Sequence, residues 1–204
     1  MTRVVAVSDT HGHHEVLEVP DGDLLIHAGD LTRSGTLEEV SELDAWLGTL
    51  PHLHKIVIAG NHDWIFQERP DEARACLSNA TYLMHEPCVA AGLKVFGSPW
   101  QPWFLDWSFN LPRGPELAAK WAEIPDDTEL LVTHGPPRGV GDAGRDGELL
   151  GCDDLRARLR QLRPRLHVFG HIHEARGVWE RDGTTFVNAS CWELDQGPIV
   201  VDLE

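Results

Sequence analysis

Seven side chains of metal-ligating type stand in five short turns of this 204-residue chain. They are Asp9 and His11 in "SDTHG", Asp30 in "AGD", Asn61 in "AGNHD", His134 in "THGPP", and His171 with His173 in "FGHIH". A single Asp after a strand is usually a cap, and a single His is usually a hydrogen-bonded structural residue. Five such turns, each following an apolar run, point elsewhere. Imidazoles, carboxylates and an amide oxygen, with no thiolate, suit Mn, Fe, Zn or Co better than a structural zinc cage. Seven ligands exceed the needs of one ion. They suit two divalent ions sharing a bridging carboxylate, which clamps the attacking and leaving oxygens of a phosphoryl displacement.

Something must bring the five turns to one place. "RVVAVS" (3–8), "DLLIHAG" (23–29), "KIVIAG" (55–60), "ELLVT" (129–133) and "LHVFG" (166–170) read as strands buried on both faces. In open α/β sheets, ligands bind outside the carboxyl ends of the strands, so the turns converge there. Helices fit between the strands. Leu37, Val40, Leu43 and Leu47 have helical spacing over 36–48, with Thr36 and Glu39 as a capping box. Pro115 opens a helix over 115–124, and Asp153 or Asp154 is expected to cap another that ends before Pro164. Beyond His173 the pattern returns to strands, "GVWE", "TTFVNAS" and "PIVVDL", with Asp182-Gly183 as a hairpin turn. The expected fold is α/β, one domain over residues 1–204 with two sheets sandwiched between helices.

The length suffices to bury about 70% of the unfolded surface. A net charge of −16 opposes binding of a long polyphosphate backbone, so duplex nucleic acid is not expected as a partner. A small phosphorylated substrate meets less of that field, especially where bound cations reverse it. No run of eighteen apolar residues occurs, so no membrane span is expected. The start, "MTRVVAVSDTHG", lacks a signal-peptide core, and Cys76, Cys88, Cys152 and Cys191 read as reduced thiols. These features together lead us to expect a cytoplasmic protein.

The ordered motifs D-x-H, G-D, G-N-H-D, H and G-H-x-H resemble the calcineurin-like metallophosphoesterase superfamily. A narrower resemblance covers nearly the whole chain. "LLIHAGDLT", "LPHLHKIVIAGNHD", "GSPWQPWFLDWSFN", "HVFGHIHE" and "VNAS" are similar to the metallophosphoesterase-domain-containing branch, whose members are phosphodiesterases of class III type. The resemblance implies a four-layer αββα sandwich of two mixed sheets. It places Asp9, His11 and His173 on a first ion, Asn61, His134 and His171 on a second, and Asp30 between them. Manganese is the favoured metal. The implied reaction is hydrolysis of small phosphodiesters, with 2′,3′- or 3′,5′-cyclic nucleotides as candidates, by a metal-bridged hydroxide. His62 would assist the leaving group, with Asp63 orienting its imidazole. A phosphomonoesterase or nuclease on the same centre, or a non-catalytic scaffold, are the alternatives.

Weaker signals surround this set. His13 and His14 follow the first motif closely enough to line its rim, or are solvated loop residues. His27 reads as a core histidine. Residues 138–152 carry five glycines and form either a substrate loop, with Arg138 or Arg145 on a phosphate, or a solvated connection. "RARLRQLRPR" reads as a solvated helix face. In "GSPWQPWFLDWSFN", Trp100, Trp103 and Trp107 have offsets that would share one helical face. That face either anchors a loop to the core, or offers Trp100 or Trp103 to stack on a base beside the metals.

Overall fold

Alternate residues of the first strand, β1 (Thr2–Val7), are buried on opposite faces. Val4 and Ala6 join one apolar cluster, while Val5 and Val7 join another. A strand with no wet face needs cover on both sides, and here a second sheet supplies one side and helices the other. The computed structural model describes residues 1–192 and 196–204.

In the first sheet, β1 lies beside β2 (Leu24–Ala28), followed by β3 (His54–Ile58) and β4 (Thr81–Tyr82), all parallel. β5 (Glu86–Ala90) and β6 (Leu93–Ser98) form an antiparallel pair that begins the second sheet. A two-stranded ribbon of β7 (Gln101–Pro102) and β8 (Asn110–Leu111) follows. β6 then runs parallel to β9 (Leu130–Thr133), which runs parallel to β10 (Leu166–Phe169). β11 (Gly177–Arg181) and β12 (Thr184–Asn188) complete that sheet as a hairpin, and β13 (Ile199–Leu203) returns to pair antiparallel with β1. The hairpin turns at Asp182 and Gly183, both at positive φ, as a tight two-residue turn requires.

α1 (Leu37–Thr49) covers the outer face of the first sheet, burying Val40, Leu43 and Leu47 against Val5, Leu25 and Val57. Its capping box forms as expected: Thr36 Oγ1 accepts from Glu39 N at 3.2 Å, and Glu39 accepts from Thr36 N at 3.0 Å. Two short helices, α2 (Trp64–Glu68) and α3 (Pro70–Cys76), lie on the same side, contributing Ile65, Phe66 and Ala73. α4 (Pro115–Ala122) and α5 (Asp153–Leu162) cover the second sheet, with Leu117, Trp121, Leu155 and Leu159 against Phe96, Leu131 and Phe169. Val4, Ile26 and Ile58 of one sheet meet Val95, Val132 and Val168 of the other between the layers. The result is the four-layer αββα sandwich.

Two local expectations are corrected. Cys152, not Asp153 or Asp154, caps α5: its Sγ accepts from Leu155 N at 3.3 Å, and Asp154 instead accepts from Gly114 N. The tryptophan-rich stretch is not helical: the β7–β8 ladder brackets it, and the residues between turn back through Leu105 and Phe109, both at positive φ. Its three indoles therefore face three different environments.

His27 and His167 lie wholly inside β2 and β10, and each points Nε2 at a threonine hydroxyl, Thr10 at 2.9 Å and Thr133 at 2.8 Å. Burial penalises their charged forms and pushes both imidazoles down to about 3. The unfolded chain therefore binds protons below pH 6.5 that the folded chain refuses. Stability is full above that pH and is lost as pH falls towards 3, by about 1.4 kcal/mol per pH unit for each residue. In urea unfolding of metal-free protein between pH 6 and 4, His167→Gln should remove about that much slope per unit. An unchanged slope would show that His167 is not held neutral.

Candidate metal centre

The parallel strands β1, β2 and β3 of one sheet and β9 and β10 of the other end on the same edge, and the ligand turns begin there. Backbone bonds stitch the turns together: Asp9 N donates to Gly29 O at 2.9 Å, His11 N to Asp30 O at 3.0 Å, and Gly170 N to His134 O at 2.9 Å. Asp9, His11, Asp30 and His171 all sit at left-handed φ, between 44° and 68°. For residues with a side chain this costs on the order of 1 kcal/mol each, and persists only where surrounding contacts over-determine it. The side chains of these four residues reach one volume.

That volume contains two groupings of ligand atoms, each within 4.8 Å of one another: Asp9, His11 and His173, and Asp30, His134 and His171. Asn61 joins the second, with Oδ1 2.9 Å from His134 Nε2. Asp30 reaches both sides. Its Oδ2 is 3.6 Å from His11 Nε2, and its Oδ1 is 3.4 Å from His134 Nε2. His62 also comes within 4.8 Å of His11 and Asp30. All seven residues expected as ligands thus share one site.

The donor chemistry fits divalent cations. His134 donates Nδ1–H to Ala28 O at 3.0 Å, which aims Nε2 inward. His11 Nε2 is buried without a hydrogen-bond partner, an expensive state for a ring nitrogen unless an ion takes its lone pair. Electrostatics agree. Burial pushes the Asp9 and Asp30 carboxyls up, but His173 and His134 outweigh it and hold Asp9 at about 2 and Asp30 lower still. His134 is raised to about 9, since the Asp30 charge overcomes its burial. His11 and His171 are pushed by burial down to about 4, ready to offer lone pairs. Two buried anions among imidazoles form a site built for cations.

Asp63 does not orient His62. Its buried carboxylate accepts from Leu31 N, Thr32 N, Thr32 Oγ1 and Gly60 N at 2.7 to 3.1 Å, lashing the turn after β2 to the turn after β3. Burial and the nearby Asp30 charge lift its pKa to about 6. His62 is held by other groups. Its Nδ1–H donates to Arg33 O at 3.3 Å, and its ring stacks on Trp107 with centroids 4.2 Å apart. Ser108, next in the chain, donates Oγ–H to Asn61 O at 2.8 Å, so the tryptophan-rich stretch braces this ligand turn directly.

The remaining expectations divide. Trp103 lines a cavity of about 420 Å³ that opens onto Asp30, Asn61 and His171. Trp100 does not line it. Its indole packs between the two outer clusters, edge-on to Phe109 and beneath Lys120. His13 is exposed and outside the cavity lining, whereas His14 is buried against Trp46. Arg138 is exposed and donates to Leu149 O, and Arg145 pairs with Glu174. The guanidinium that lines the cavity belongs to Arg113, which motif spacing did not single out. Phe104 and Leu150 of the lining were missed too, as was Trp192, which stacks on His173 at 5.0 Å and meets His11 edge-on at 4.6 Å. Composition marks the aromatics, but only the fold shows which ligand each one touches.

A cluster of Asp, Asn and His ligands on the carboxyl edge of an αββα sandwich is the architecture of a metal-dependent phosphoesterase. Residues 2–175 match the calcineurin-like phosphoesterase family, and the chain belongs to it, within the metallophosphoesterase-domain-containing branch. It is 42% identical to metallophosphoesterase domain-containing protein 1 of Homo sapiens, over 99% of this chain and 71% of that protein. It is also 42% identical to UPF0046 protein C25E10.12 of Caenorhabditis elegans, over 92% of this chain and 74% of that one. The crystal structure of TT1561 from Thermus thermophilus shares the fold, with a TM-score of 0.67 and 14% identity across 100% of this chain and 99% of that chain.

Close packing leaves the centre no slack. A Cβ on Gly170 would stand 2.2 Å from Asp9 Oδ2 and 2.1 Å from Ser8 Oγ. Gly170→Ala should therefore displace Asp9 and weaken metal binding by about tenfold or more. Elemental analysis and metal titration calorimetry of the folded variant would read this, and wild-type affinity would refute it.

Proposed function

We propose that this protein is a dinuclear metal-dependent phosphodiesterase acting on small phosphodiesters, cyclic nucleotides among them. The observation that carries this reading is Asp30, a buried carboxylate with one oxygen towards each group of ligand atoms. Asp9, His11 and His173 would hold one divalent ion, and Asn61, His134 and His171 the other, with manganese favoured over Fe, Zn or Co. When bound, the ions supply an activated water and neutralise charge on the phosphate oxygens. The chain's own residues do the rest. His62 lines the cavity and is held by Arg33 O and Trp107, which leaves Nε2 as the ring nitrogen that would pass a proton to the departing ester oxygen. Asp63 acts at one remove, by fixing the two turns that carry Asp30 and His62.

Residues 1–204 read as one catalytic unit, since ligands run from Asp9 to His173 and β13 closes back onto β1. No described helix is long and apolar enough to cross a membrane. Four free cysteines suit a reducing compartment, in keeping with a cytoplasmic location. The net charge of −16 disfavours duplex nucleic acid and hence a nuclease.

Metal-free protein reconstituted with Mn, Fe, Co, Ni or Zn should hydrolyse bis-p-nitrophenyl phosphate faster than p-nitrophenyl phosphate, with cyclic nucleotides also turned over. No hydrolysis with any metal would end the enzymatic reading, and dominant monoester turnover would favour a phosphomonoesterase. His62→Ala should lower kcat by about 10²–10⁴-fold at unchanged metal content. Trp107→Ala should lower kcat in the same direction but less, and Trp107→Phe should restore part of it. Wild-type kcat in His62→Ala would remove that residue from the reaction.

A further inference from the structure

Beyond the ligands, the cavity is walled by Pro102, Trp103, Phe104, Leu150 and Ile172. Its mouth carries an unusual amount of exposed apolar surface for a protein this acidic. Trp103 is 61% exposed and Phe104 46% on one side, and Leu150 is 40% exposed on the other. Exposed apolar groups that converge on one rim mark a binding surface. The two charged side chains of the lining, Glu174 and Arg113, also make contacts within the walls. Glu174 accepts from Arg145 at 2.6 Å, and Arg113 gives Nη1 to Gly151 O at 2.7 Å and Nη2 to Leu150 O at 2.8 Å.

Both walls are tied to one short segment, residues 110–113. Asn110 Oδ1 accepts from Phe104 N at 3.1 Å, while its Nδ2 donates to Phe104 O and Leu105 O at 3.3 and 3.2 Å. Trp103 N donates to Leu111 O at 2.9 Å. Two residues on, Arg113 grips the opposite wall at Leu150 and Gly151. The spacing between the walls is therefore built in, not left to two independent loops. Phe104 also meets His171 edge-on at 5.3 Å, which sets this slot directly against a metal ligand.

We infer that Phe104, Trp103 and Leu150 form a subsite for a planar aromatic substituent of the phosphoester, an aryl group or a nucleobase joined through its sugar, with Asn110 and Arg113 as positioning residues that set its width. The inference rests on the phosphodiesterase reading and names the substrate class that site would favour. Aromatic side chains stack on any flat π-system without needing hydrogen bonds, which suits a wall built of Trp103, Phe104 and Leu150.

The test uses metal-loaded full-length protein and non-hydrolysable phosphonates, with binding followed by calorimetry. Phenylphosphonate should bind about tenfold or more tightly than methylphosphonate, and cyclohexylphosphonate should fall between them. Phe104→Ala and Leu150→Ala should bring the first two together, while Phe104→Tyr should keep them apart. Metal content and unfolding midpoint confirm that each variant is folded. Arg113→Ala and Asn110→Ala should also lose the phenyl preference. Equal weakening of both phosphonates in Arg113→Ala would instead place its guanidinium on the phosphate and overturn the positioning role. A nucleoside phosphonate that weakens in Phe104→Ala in step with phenylphosphonate assigns the subsite to a base, and one that does not assigns it to a simple aryl group. Equal binding of phenyl- and methylphosphonate by the wild type overturns the subsite, even if bis-p-nitrophenyl phosphate is hydrolysed. Selective binding without hydrolysis would leave the subsite standing and remove the phosphodiesterase reading.

Discussion

The Asp30 carboxylate is buried where the edges of the two sheets meet, and its charge is the constraint the rest of the site answers. An isolated anion at that depth would be prohibitively costly and would take up a proton instead. Two groups keep it ionised. His62 N donates to Oδ1 at 2.8 Å, and the His134 ring approaches the same oxygen at 3.4 Å. Each comes from a different strand end, so the charge cannot be accommodated until both sheets are in place. The site is in this sense a consequence of tertiary folding, and divalent cations complete its charge balance.

That arrangement explains why the site tolerates so much unfavourable backbone. Four ligands lie in the left-handed region, and Gly29 and Gly60 are packed so closely that a Cβ on either would collide with His134. Rigid parallel strands and a dense core between the sheets fix where the turns start. Asp63 then binds two of those turns together through four hydrogen bonds. Strain at these residues is held in place by stability elsewhere.

The tryptophan-rich stretch shows one segment serving several layers of the same site. Trp100 anchors it between two apolar clusters. Trp107 and Ser108 brace His62 and Asn61, and Trp103 with Phe104 reaches the cavity rim. The prolines that prevent a helix are what allow neighbouring indoles to diverge.

Much of this was legible in the amino-acid order because the relevant signals are local. A buried strand followed by a ligand-bearing turn is written in consecutive residues, so Asp9, His11, Asp30, Asn61, His134, His171 and His173 could be named together. The capping box at Thr36 and Glu39 and the Asp182-Gly183 hairpin are equally local. Contacts between residues far apart were not legible. Asp63 stands next to His62 in the chain, yet its carboxylate turns to Leu31 and Thr32. Arg113 lines the cavity instead of Arg138, because the segment after β8 crosses to meet Gly151. Trp192 reaches His173 only after the chain has passed through β11 and β12. Residue type and spacing determine which groups can ligate and on which strand ends they stand. Which of them touch, and what surrounds them, is decided by packing two sheets and their loops into one volume, where the cost of burying charge and apolar surface selects each partner.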